Sequence, residues 1–126
     1  MEVHVTAEMG RNREHLAELE FLVDTGSFYS AIPPRVGRDL ELGPGLSMQV
    51  MLADGRIVDT EVTLAYIKLL GRQGAVPVEV IDVPTPLLGV SALETLGMKV
   101  NPVSGELEIV RPFEAPPMFK RFYFER

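Results

Sequence analysis

The alternation that carries the chain into Asp24 constrains its fold more than any other feature. Glu18 and Glu20 alternate with Leu19, Phe21 and Val23, the period-two pattern of a strand with one buried face. That strand ends on a carboxylate, Asp24, followed at once by Thr25, Gly26 and Ser27. An Asp side chain accepts backbone hydrogen bonds and Gly takes positive φ freely, so the sequence reads as a turn at a strand end. The chain supplies this motif once. Any acid-base chemistry built on two such carboxylates therefore needs two copies of the chain.

Strand signals continue on both sides. Glu2, His4, Thr6 and Glu8 alternate with Val3, Val5, Ala7 and Met9, which predicts a half-buried strand ending in a polar turn over 10–13. Residues 29–32 predict a short strand closed by Pro33 and Pro34, and 35–40 a helical turn that Pro34 is suited to start. Two apolar-rich runs, 48–53 and 56–69, meet at Asp54-Gly55, a hairpin signal because both central positions of a tight turn take positive φ. A turn over 71–74 and a strand over 75–83 follow, after which Pro84 and Pro86 interrupt pairing. Ser91 and Glu94 have capping-box spacing ahead of Gly97, predicting a helix over 91–96. Residues 107–110 give a last strand. The pattern predicts a mainly β domain, a small closed β-barrel with one short C-terminal helix.

Composition narrows the function. A chain of 126 residues forms one domain, small enough to gain from association. Its 46% apolar and 24% charged residues fit a globular protein. No run approaches the ~18 apolar residues of a membrane helix, and residues 1–5 lack a signal-peptide pattern, so a cytoplasmic setting without membrane contact is expected. With no cysteine, thiol chemistry is excluded. A net charge of −6, with Lys68, Arg72, Lys99 and Arg111 scattered, argues against a nucleic-acid partner. His4 and His15 stand far apart and form no ligand spacing, so no metal is expected. The last segment, 111–126, gathers Phe113, Phe119, Phe122, Tyr123 and Phe124 around Pro116 and Pro117. Aromatics that dense are expected to dock on this subunit or its partner, which sets a domain of 1–110 apart from an aromatic-rich extension.

The ordered landmarks say more than Asp-Thr-Gly alone. They are Asp24-Thr25-Gly26-Ser27, the Leu52-Ala53-Asp54-Gly55-Arg56 hairpin, Leu87-Leu88-Gly89-Val90 with Leu93-Glu94-Thr95-Leu96-Gly97, and the closing 100–107 segment. In this order they resemble the retropepsin-like aspartic proteases, over most of residues 1–110. The resemblance implies a homodimeric endopeptidase that needs no cofactor and binds an extended peptide. Asp24 of each subunit would be catalytic. Thr25 would bond across the dimer axis and Gly26 would bring its amide to the carboxylates. Ser27 would either donate to Asp24 or serve as a turn hydroxyl. Leu52, Ala53, Asp54 and Gly55 would form a flap over the substrate, while Leu87, Leu88 and Gly89 would pack beneath the catalytic loop. The alternative implied by the same fold is a catalytically silent dimerisation or peptide-binding module.

Overall fold

A computed structural model of the protein describes residues 2–51 and 54–110. Its elements in chain order are β1 (His4–Asn12), β2 (His15–Val23), β3 (Ser30–Ile32), α1 (Pro34–Asp39), β4 (Leu46–Met51), β5 (Ile57–Leu69), β6 (Arg72–Val80), β7 (Leu87–Leu88), α2 (Val90–Leu96), β8 (Met98–Val100) and β9 (Leu107–Ile109). Seven strands form one sheet in the order β1-β2-β7-β3-β6-β5-β4, and β1 also pairs with β5. That extra pairing, Glu8 to Gly10 against Lys68 to Tyr66, bends the sheet into a ring. The mainly β reading holds, with β8 and β9 as a separate two-stranded sheet.

The ring closes around side chains from alternate strand positions. Met9, Phe21, Ile32, Ile67, Val76, Val78, Leu88 and Leu96 are fully buried and touch in one core cluster with Ala7, Ala65 and Leu93. Burial of a Leu, Ile or Phe side chain contributes about 1.5–3 kcal/mol each before conformational entropy is subtracted. α2 packs against β6 and β3, and buried Arg72 ties it down by donating from Nη1 to the Leu96 carbonyl at 2.8 Å. Among the described residues no helix is long and apolar enough to cross a membrane.

Four local expectations change. The turn predicted over 10–13 is largely strand: β1 continues to Asn12 with a register shift after Gly10, and Asn12 Oδ1 accepts the Glu14 N–H at 3.0 Å across the tighter turn. A side chain at position 10 would run into the His15 carbonyl, so glycine is what lets the strands approach. The turn predicted over 71–74 instead falls on Leu70-Gly71, with φ of 52° and 77°, and β6 begins at Arg72. This is the two-residue hairpin of paired positive φ expected from the sequence at Asp54-Gly55. At Asp54-Gly55 itself the last pair of the ladder is Met51 with Ile57, so a two-residue turn does not join β4 to β5. The helix predicted over 91–96 starts one residue earlier, with Gly89 as its cap and no side-chain capping bond. Gly97 ends it in the left-handed conformation, as the sequence indicates. Leu52 and Ala53, and the whole aromatic segment 111–126, lie outside the described residues.

Candidate active site

Two chain segments meet around Asp24, and backbone hydrogen bonds lock them together. β2 runs parallel to β7, with Leu22 beside Leu87 and Val23 beside Leu88. The Asp24 N–H donates to the Leu88 carbonyl at 2.9 Å, so the carboxylate leaves the sheet from a fixed point. Beyond it the chain turns: the Gly26 N–H donates to Asp24 Oδ1 at 3.0 Å. Thr25 and Gly26 are exposed and Asp24 is half-buried. The carboxylate thus stands at the end of β2 with one oxygen held by a backbone amide.

The loop is held from below by the chain leaving β7. The Val90 N–H donates to the Ser27 carbonyl at 2.8 Å and the Ser91 N–H to the Phe28 carbonyl at 2.9 Å. These carbonyls satisfy the first amides of α2, which accounts for the missing side-chain cap. Ser91 Oγ is buried without a partner in its place. Gly89 donates to the Ser30 hydroxyl at 3.0 Å, and Ser30 is fully buried. Of the two roles open to Ser27, this chain adopts the turn role: its hydroxyl donates to the Tyr29 carbonyl at 2.8 Å, not to Asp24. Leu88 is core, whereas Leu87 faces away from it and is half-buried.

Sequence reasoning missed Ser30 as a structural anchor, since a serine within an apolar run carries no distinctive signal. Ser30→Ala removes the acceptor of a buried amide and is expected to lower stability by about 1–3 kcal/mol in urea denaturation. A change under about 0.5 kcal/mol would contradict that assignment.

Asp54 lies in the hairpin connection, apart from the strand end that carries Asp24. Its Oδ1 accepts the Arg56 N–H at 3.0 Å and its Oδ2 pairs with Arg56 Nε at 2.7 Å. The Arg56 backbone amide, then its side chain, hold the Asp54 carboxyl below the usual carboxylate range. Asp54 is thereby engaged in its own turn. Met51 and Ile57, at the outer ends of β4 and β5, are strongly exposed apolar side chains, as is Phe28, whose ring packs edge-on against Tyr29 at 5.2 Å. Clefts of about 360 and 620 Å³ open beside α1 and the base of β4, and Asp24 lines neither.

Glu79 on β6 has only a weak sequence signal, a charge that interrupts the apolar run 76–81. Burial pushes its carboxyl above the usual range. Folding therefore raises the group's pKa, so its contribution favours the folded state below the unfolded pKa and is lost as pH rises through the folded value. Glu79→Gln is expected to raise Tm at pH 7, with the gain vanishing below about pH 4. An unchanged Tm at pH 7 would contradict this reading.

A β-ring with an Asp-Thr-Gly loop pinned across a β7-type apolar strand defines the retropepsin-like class of aspartic proteases. The family model described as "Aspartyl protease" matches residues 5–99, and the chain belongs to that family. Among solved structures, it is similar to the EIAV protease complexed with the inhibitor HBY-793, with a TM-score of 0.59 and 24% identity over 80% of this chain and 93% of that one. No curated protein matches the chain.

Proposed function

We propose that the protein is an aspartic endopeptidase that works as a homodimer, with Asp24 of each subunit meeting across a twofold axis. The observation that carries this reading is the anchoring of Asp24: a strand-end carboxylate tied by its own N–H to Leu88 and steadied by the Gly26 amide. One chain presents one such group at the end of β2, and a second copy supplies the other.

Two carboxylates in contact cannot both ionise freely, so the pair shares a proton and titrates as a unit. The ionised member takes a proton from a water positioned between them, and that water attacks the peptide carbonyl. The protonated member polarises the carbonyl oxygen and then returns a proton to the departing nitrogen. Thr25, exposed at the loop tip, bonds to its counterpart and keeps the two loops in register. Gly26 supplies the amide that stabilises the charged oxygen. The β4–β5 hairpin closes over an extended peptide as a flap carrying Asp54 and Gly55, excluding water from the cut bond. A cytoplasmic setting belongs to the same reading.

The test is cleavage of a random peptide library by the purified chain across pH. Activity should follow a bell-shaped profile, since one carboxyl must be charged and its partner neutral. It should also be blocked by a statine-containing peptide. Absence of cleavage at every pH would favour the silent peptide-binding module instead.

A further inference from the structure

The sheet has a second apolar surface, on the side opposite the core. Phe21, Val23, Leu88, Ile32 and Val78 point into the core cluster. Their alternate neighbours face the other way. Register places those neighbours in one row: Leu22 beside Leu87, Leu87 beside Ala31, Ala31 beside Glu79, and Glu79 beside Val62. None of Leu22, Leu87, Ala31 or Val62 belongs to the core cluster, although Ala31 is buried. Leu22 and Asp24 lie two positions apart at the end of β2, so the row begins on the face that carries the carboxylate. It ends on β5, in the stretch that pairs with β4 to form the hairpin. The row is a floor running from Asp24 to the base of the proposed flap.

Glu79 is the one charged residue in that floor. Ala31 on one side and Val62 on the other offer it no hydrogen-bonding side chain, and among the described residues no ion pair or hydrogen bond engages its carboxylate. We propose that Glu79 is a specificity-determining residue of the peptide cleft, selecting a lysine or arginine side chain of the substrate. This rests on the protease reading above and names the substrate class for the same site.

Chemistry and geometry both favour that occupant. A carboxylate among apolar neighbours is poorly solvated, and a cation delivered by a ligand restores what burial removes. Adjacent strands lie ~4.8 Å apart, so three spacings separate Leu22 from Glu79 by about 14 Å along the floor. An extended peptide advances ~3.3 Å per residue, which puts the selected side chain within about four residues of the cut bond. A neutral apolar side chain there would bury the charge without a partner, so discrimination comes from both attraction and penalty.

The experiment uses the full chain and a peptide set with Lys, Arg, norleucine or Glu substituted singly at each position within four residues of one cleaved bond. The wild type is expected to cut the basic peptide about tenfold better in kcat/KM than the norleucine peptide at one position, chiefly through KM. Glu79→Gln should bring that ratio near unity, and Glu79→Lys should favour the Glu peptide instead. Cleavage without a basic preference, or a preference unchanged in Glu79→Gln, overturns the proposal and leaves the protease reading standing. If no peptide is cut, the protease reading fails by itself. Fluorescence anisotropy with paired Lys and norleucine statine peptides then decides on Glu79: equal affinities, or no binding, overturn it, and tighter Lys binding lost in Glu79→Gln upholds it.

Discussion

Asp24→Asn is expected to abolish peptide cleavage, lowering kcat by at least about a thousandfold while leaving the fold intact. The amide is nearly isosteric and can still accept the Gly26 N–H, so the loop geometry should survive. What it cannot do is carry or exchange the shared proton. Loss of that function removes both the base that activates water and the acid that protonates the leaving nitrogen. Circular dichroism and thermal melting of the variant should resemble the wild type. A folded Asp24→Asn protein that retains substantial cleavage would show that the catalytic carboxylate lies elsewhere.

Gly89→Ala is expected to cost about 3 kcal/mol or more and to take activity with it. A Cβ at this position would collide with the Tyr29 backbone and come within 2.8 Å of the Phe28 carbonyl oxygen. Backbone atoms cannot swing aside as a side-chain tip can. The Phe28 carbonyl also accepts the Ser91 amide at the start of α2, so relief of the clash would push away the loop that continues from Asp24. Gly89 has extended backbone, with φ of −92°, so its requirement is space and not a left-handed conformation. Urea denaturation reads the stability loss. A variant as stable as the wild type would mean that the loop is looser than these contacts indicate.

The two predictions share a cause that the sequence shows only in part. β2 and its run into Asp24 were legible because polar and apolar residues alternate for long enough to define a face. The start of α1 was legible because Pro34 occupies its first position. β7 was not, since the pair Leu87–Leu88 is too short for any period and sits between Pro86 and Gly89. Its place comes from neighbours distant in sequence, parallel to β2 and antiparallel to β3. The start of α2 was misread for the same reason. Ser91 and Glu94 have the right spacing, yet the Ser91 amide that Glu94 would cap is taken by the Phe28 carbonyl, and the helix already begins at Val90. Leu70 at positive φ carries no sequence signal, because a leucine there is disfavoured and is imposed by the β5–β6 register.

The site follows the same division. Asp24, Gly26 and the Leu87–Gly89 support could be named from motif and order, and the structure brings them together through hydrogen bonds. Ser27 could be assigned to its turn only when the Tyr29 carbonyl was located beside it. Glu79 became visible only through the register of β3 with β6, which aligns it with Ala31 across the sheet. Periodicity shows which side chains share a strand face. It does not show which strands are neighbours.

Mixing active and Asp24→Asn chains tests the central claim most directly. With wild-type chain held constant and an equal amount of Asp24→Asn allowed to exchange, random pairing should reduce cleavage to about half, and excess variant should suppress it further. Activity that stays constant however much variant is added would contradict a catalytic centre shared between two subunits.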